Sequence, residues 1–358
     1  MLNEREEKVL DAVIRTYVET AEPAGSRTVA KRFGLGVSAA TVRNAMADLE
    51  EKGFLFHPHT SAGRIPTDLA YRYYVDTLMQ PMRLTTAEQR KVRRELSEDA
   101  GSELERLVRR AAQVIGLLTG ELGLAVSPRP GEVVLEKLEM VSLASDKLLL
   151  VLTLEKGMVR TVYVDLPMSV PAETLVSVTM VLNERLAGQT LSAIRASLPE
   201  RLRDAGEPGD AELLNIFMQA AEEVLDSPTG TDTVHLGRTS VIANQPEFAD
   251  EVRLKRLIEL TEERELLSRV LSGRSHEAMP VITIGAENEH PQLTGFTLVT
   301  SEYRLGNLSG VIGVIGPTRM PYEKVAAIVE YTSKLVTDLM SPAGAPRVRW
   351  NADTRNTH

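Results

Sequence analysis

The chain has 358 residues, a formal net charge of −9, 43% hydrophobic and 25% charged residues, and no cysteine. That balance suits two or three globular domains and excludes disulfide scaffolds and thiolate metal sites. The charged start, MLNEREEKVL, is unlike a signal peptide, and no apolar run is long enough to span a bilayer, so a cytoplasmic chain without a membrane partner is expected.

The acidity is unevenly spread. Residues 1–85 hold 11 basic and 11 acidic side chains, so the whole excess of negative charge lies beyond them. Within 26–66, Arg27, Lys31, Arg32, Arg43, Lys52 and Arg64 face only Asp48, Glu50 and Glu51. A locally positive face on an acidic protein is compatible with nucleic-acid binding through close docking.

In chain order, Val9, Leu10, Val13, Ile14, Tyr17 and Val18 give residues 4–20 one apolar helical face, and Pro23 stops it. Ser26 is placed as N-cap of a short helix to Phe33, with Val29, Ala30 and Phe33 inward. The turn Gly34–Val37 follows. Ser38 then caps a helix whose stripe is Val42, Ala45, Met46 and Leu49, ended by Gly53. Helix, short helix, glycine turn, helix is the helix-turn-helix order, and the strand Phe54-Leu55-Phe56 with a hairpin over 57–67 makes it the winged variety.

This pattern predicts which side chains meet double-stranded DNA. Ser38, Ala40, Thr41, Arg43 and Asn44 lie at the start of the second helix, and Arg and Asn there can form bidentate bonds to guanine and adenine edges. His57, His59, Thr60, Ser61 and Arg64 gather donors around Gly63, as phosphate or minor-groove contacts require. Ser26 and Arg27 can hold the backbone at the neighbouring helix start. His57 and His59 have no third ligand at a usual spacing, so no metal is expected.

Residues 68–79 read as a helix with the stripe Tyr71, Tyr74, Val75 and Leu78, its tyrosines serving packing, and 83–103 as a charged linker helix. Leu104, Leu107, Val108, Ala111, Val114 and Ile115 mark a longer helix to about Gly120. Strands are predicted over 133–143, 147–154 and 159–164, a helix over 172–186, further strands over 281–285, 297–299 and 308–315, and a closing helix over 323–340. The early and late strands are expected to share one antiparallel sheet interrupted by a mostly helical region, giving an α+β sensor-like domain with an insertion. In that region, 212–225 and 252–271 read as helices. Leu254, Leu257, Ile258, Leu266 and Val270 form a stripe suited to core packing or to a dimer seam, and the need for two helix-turn-helix copies favours the seam. The tail from Pro342 is polar and expected to be disordered.

No nucleophile elbow, phosphate loop or His-Glu-x-x-His pair occurs, so neither an enzyme nor a cofactor is expected. The spaced glycines Gly310, Gly313 and Gly316 sit among Val and Ile and read as a sheet strand, while Glu287, Glu289 and His290 read as a surface loop.

Several segments resemble the HrcA family of heat-inducible transcription repressors: Glu22–Arg27, Ser38–Asn44, Pro58–Thr67, Tyr71–Asp76, Asn244–Phe248 and the strand 310–316. Ala24 and Val42 replace the usual Val and Ile, both apolar swaps. The resemblance covers nearly the whole chain. It implies a winged-helix domain (1–82), a linker helix (83–102), a GAF-like domain in two parts (103–171 and 278–342), an inserted largely helical dimerisation domain (172–277) and a disordered tail (343–358). It further implies a homodimer on the CIRCE inverted-repeat operator of class I heat-shock (groE and dnaK type) operons, kept active by the GroEL chaperonin. The alternative reading is a winged-helix regulator gated by a small-molecule effector in the GAF-like domain.

Overall fold

A computed structural model describes residues 2–59, 62–97, 104–128, 133–155, 158–166, 170–203, 213–218, 234–272, 280–305 and 308–340. The N-terminal unit opens with α1 (Glu4–Thr20), started by a capping box in which Asn3 accepts from the Arg5 and Glu6 amides while Glu6 returns to the Asn3 amide. It continues through α2 (Ser26–Phe33), α3 (Ala39–Glu51) and a ribbon of two short strands, β1 (Leu55–Phe56) and β2 (Ile65–Pro66). Val9, Leu10, Val13, Val29, Val42, Met46 and Leu49 are all buried together, as the stripes require. Ser26 does not cap α2. Gly25 holds the cap position with extended backbone and no side-chain bond, and Ser26 is the first helical residue.

After β2 the chain enters α4 (Asp68–Tyr73), which passes directly into a π-helical turn over Tyr74–Leu78. The predicted stripe holds, with Tyr71 and Tyr74 buried, but its partner is the second half of the molecule: Tyr71 packs on Tyr322 at 5.7 Å. Arg72 donates to Glu287 Oε1 at 2.7 Å and to the Ile282 carbonyl at 2.7 Å, and Asp68 accepts from the Ala286 amide at 3.1 Å. Glu287, expected on a plain surface loop, is therefore half of an anchor between units. The charged stretch after Arg83 is also more than a linker. Its helix α5 (Thr86–Ser97) buries Val92 and Leu96, and Arg110 donates to the Glu95 carbonyl at 2.9 Å.

The second unit is built on five antiparallel strands in the order β7-β3-β10-β9-β8: β3 (Leu122–Val126), β7 (Val234–Leu236), β8 (Val281–Ile284), β9 (Phe296–Leu305) and β10 (Leu308–Pro317). Helices α6 (Leu104–Thr119) and α12 (Tyr322–Met340) cover one face, packing on Ala125, Val299, Ile312 and Val314. The other face, with Leu124, Leu298, Val311 and Ile315, is covered by α10 (Glu251–Glu262) and α11 (Arg264–Ser272). The short α9 (Thr239–Ala243) joins β7 to this layer.

The single sheet expected from the sequence is two sheets. Among the described residues, strands β4 (Leu135–Ala144), β5 (Lys147–Leu154) and β6 (Met158–Asp165) form a sheet of their own, and with α7 (Ala172–Leu186) and α8 (Leu191–Leu202) they enclose a second core around Leu138, Leu150, Leu152, Val178 and Ile194, which Leu305 and Leu308 of the main sheet join. This unit lies in sequence between β3 and β7, so the insertion contains the three early strands and ends before 234. The predicted insert of 172–277 is displaced at both ends, and residues 234–272 supply β7 and the helices that cover one face of the main sheet. The physical reason is visible in burial. β5 alternates between buried and half-buried positions, as a sheet with one covered face does, whereas all five residues of β3 are buried.

The dimer-seam stripe is accordingly engaged within the chain. Leu257 and Leu266 are buried on the main sheet, Leu254 and Val270 are half-buried against it, and only Ile258, at 45% exposure, faces outward. The predicted helix 252–271 is two helices, broken at Glu263. Of 212–225 only 213–218 is described, and it is helical; the tail 343–358 lies outside the described residues.

Candidate nucleic-acid interface

Helix α3 carries the expected donors on a face its own packing defines. Ser38 accepts from the Thr41 amide at 3.1 Å, and its hydroxyl meets that of Thr41 at 2.9 Å. Both hydroxyls thus hold the helix start, a cap worth about 1 kcal/mol. Opposite the buried stripe, Ala40, Arg43, Asn44, Ala47 and Asp48 are exposed. Arg43 and Asn44 have no hydrogen-bond or ion-pair partner among the described residues, so both planar groups are available to a ligand. At the other end the Gly53 amide bonds the Glu50 carbonyl at 2.9 Å and the Phe54 amide bonds that of Leu49 at 2.9 Å, with Gly53 at φ +79°. This glycine-terminated closure turns the chain into the ribbon at a fixed angle.

The ribbon is pinned at its base. The Ala24 amide donates to the Arg64 carbonyl at 2.8 Å and the Arg64 amide to the Ala24 carbonyl at 3.0 Å. Gly63 makes that approach possible, since a Cβ there would lie 2.5 Å from the Pro23 carbonyl oxygen and 2.6 Å from the Ala24 carbonyl. Gly63→Ala is expected to displace the ribbon and weaken DNA binding at least tenfold while the far-UV circular dichroism of the chain persists. Anisotropy titration on a duplex reads the first effect, and wild-type affinity would show that the ribbon tolerates the shift.

Glu50 governs the side chains of this ribbon. It pairs with Arg64 at 2.7 Å and with the His57 ring. Arg64, expected as a free phosphate contact, is only 22% exposed and is held as a brace between α3 and the ribbon. His57 is likewise engaged, while His59 is exposed; Thr60 and Ser61 lie outside the described residues. On α2, Ser26 is half-buried, and Arg27 and Lys31 are exposed without partners among the described residues. Arg32 is tied to Glu19. Among the described residues of this face the exposed, unpaired cations are therefore Arg27, Lys31 and Arg43, with the exposed His59 ring and Asn44 amide as further polar groups. The sequence names Lys31 and Glu50 only as charges of this stretch, without a site role for Lys31 or a bracing role for Glu50. A basic residue on α2 next to Arg27 was a usable signal for the first, whereas nothing local marks the second.

The comparisons with known proteins bear on the whole chain. A family model described as the HrcA protein C-terminal domain matches residues 105–326. The chain is 37% identical over 354 residues to a heat-inducible transcription repressor HrcA of Chlorobium phaeovibrioides, covering 96% of this chain and 98% of that one. It is 38% identical over 340 residues to the protein of that name from Geobacter sulfurreducens, covering 95% and 98%. Among solved structures, one described as a hypothetical protein at 2.2 Å resolution aligns with a TM-score of 0.61 at 21% identity, covering 95% of this chain and 99% of that one, a likeness of fold. With a family model over more than half its length and relatives matched nearly end to end, the chain belongs to the HrcA family of heat-inducible transcription repressors.

Proposed function

We propose that this repressor binds the CIRCE inverted repeat as a homodimer through a winged-helix unit, residues 4–78. The observation that carries the reading is α3, whose Arg43 and Asn44 stand exposed and unengaged directly opposite its buried stripe. In the major groove such side chains read guanine and adenine edges, Ser38, Ala40 and Thr41 at the helix start lie beside them, and the ribbon with His59 follows the backbone. Arg27 and Lys31 supply phosphate contacts. His57 and Arg64, both paired with Glu50, hold the framework that presents these groups, and Ser26 at the start of α2 lies beside Arg27 as a further backbone contact.

An inverted repeat requires two copies related by a twofold axis. Since the stripe on α10 and α11 faces the chain's own core, we place the pairing surface on the separate three-stranded sheet. Val141, Leu149 and Tyr163 lie side by side across its open face, with Val159 further along β6, and Val141, Val159 and Tyr163 are 45%, 63% and 71% exposed. Exposed large apolar groups in one patch mark an interaction surface. The five-stranded sheet with its covering helices is the GAF-like part, and GroEL is the partner that sustains the active repressor.

Arg43→Ala is expected to cost about 1–3 kcal/mol on the operator and to narrow the gap between operator and scrambled duplexes. Fluorescence-anisotropy titrations on both duplexes test it. Unchanged operator affinity would sink the assignment of α3 as the reading helix.

A further inference from the structure

The N-terminal unit and the main sheet domain enclose a cleft of about 400 Å³ that the repressor reading does not use. Tyr17 of α1, Phe56 and Pro66 of the ribbon and Tyr71 of α4 line one side; the other is formed by Phe248, Phe296, Arg319 and the α10 arginines Arg253 and Arg256. The volume is that of a small-molecule site, and the lining is of the matching kind, mostly apolar with a few convergent polar groups. Phe248 and Phe296, both largely buried where they line the cleft, stack at 6.2 Å with an interplanar angle of 17°.

Three polar features of this cleft lack partners. The Tyr71 hydroxyl is buried, on a residue 1% exposed, and makes no hydrogen bond. Arg253 and Arg256 stand three residues apart, on one side of a helix, both exposed and without a side-chain partner among the described residues. The only carboxylates lining the cleft are Glu247 and Asp68, and both are engaged, Glu247 by Arg319 and Asp68 by the Ala286 amide. The cleft thus offers two free guanidiniums and an unsatisfied phenol beside the phenylalanine pair.

We propose that this cleft binds a small organic anion with a planar apolar body, its ring against the phenylalanines and its charged group on Arg253 and Arg256. Guanidinium groups recognise carboxylate and phosphate alike, so an aromatic carboxylate and an aryl phosphate share this chemistry. Because the walls come from two units, the bound anion ties the DNA-binding unit to the main sheet domain. The inference goes beyond the repressor reading, and its primary readout needs no DNA.

Isothermal titration calorimetry on the full chain with 2-naphthoate, 2-naphthyl phosphate and the neutral 2-naphthylmethanol tests it. Saturable one-to-one binding of at least one of the two anions is expected, at least tenfold tighter than the alcohol. The double variant Arg253→Ala/Arg256→Ala should weaken the bound anion at least tenfold, and Tyr71→Phe at least threefold. Both arginines are exposed, so an unchanged melting temperature confirms that the double variant is folded. Whichever anion binds more tightly identifies the headgroup. Absence of saturable binding by both anions, or equal affinity in the double variant, overturns the proposal. So does a double variant that loses DNA affinity while its anion binding is intact, since the two arginines would then be phosphate contacts of the duplex.

Discussion

Glu247→Ala is expected to lower the unfolding free energy by about 3–5 kcal/mol, the loss typical of a buried ion pair deprived of one partner. The side chains of Arg319 and Glu247 are 13% and 12% exposed. Arg319 grips the carboxylate with two nitrogens, Nε on Oε1 and Nη2 on Oε2, the latter at 3.0 Å. Its remaining nitrogen donates to the Val18 carbonyl at 2.6 Å, in the last turn of α1. One guanidinium therefore joins the Pro246–Phe248 turn, the end of β10 and the N-terminal unit. Removing the carboxylate leaves a largely buried cation whose remaining hydrogen bond among the described residues is to the Val18 carbonyl, and much of its desolvation is then uncompensated. Glu247→Gln keeps the shape and one hydrogen bond and should lose less. Urea denaturation followed by far-UV circular dichroism measures both. A loss below about 1 kcal/mol for Glu247→Ala would place the pair in the class of solvent-screened surface bridges.

The legibility of this molecule from its sequence follows the range of the interactions involved. Helix α3 was readable because its stripe, the Ser38 cap and the Gly53 stop are all local, and β8 to β10 and α12 were readable for the same reason. β3 was missed. Leu-Gly-Leu-Ala-Val has no period of its own and follows an apolar helix directly, so only the pairing of β3 with β10 and β7 makes it a strand. The three-residue β7 likewise depends on its partner. The break between α10 and α11 falls at Glu263, where no Gly or Pro announces it and tertiary packing overrides propensity. At the interface, Arg43 and Arg64 are the same residue type on adjacent elements, yet one is free and the other is held by Glu50, fourteen positions earlier in the chain. Composition identified a basic face, but which cations remain on it was settled by carboxylates brought near through folding. The motif Asn244–Phe248 was conspicuous in sequence without an evident purpose. In the structure Gln245 meets Glu121 and Glu247 meets Arg319.

That first contact supports a pH prediction. Glu121 is 2% exposed at the entry to β3, where Gln245 donates to its Oε2 at 3.0 Å and to the Gly120 carbonyl at 2.8 Å. Gly316 on β10 leaves it just enough room, since a Cβ there would lie 2.2 Å from Oε2. Burial pushes the carboxyl up to about 8, against the opposing effects of the Gln245 hydrogen bond and the Arg319 charge. The unfolded carboxyl titrates near 4.5. Between about 4.5 and 8 the native state therefore holds a proton that the unfolded state has released, and stability falls as pH rises through that window. Above it the full deficit applies, on the order of a few kcal/mol. Glu121→Gln supplies a neutral group of the same shape and removes this dependence. The variant should match the wild type near pH 4.5 and exceed it progressively towards pH 8, a difference in which the remaining titrating groups cancel. Urea midpoints at pH 5, 6.5 and 8 measure it. Parallel curves for variant and wild type would mean that Glu121 ionises in the folded protein as it does in the unfolded chain, and that the site is wetter than its burial implies.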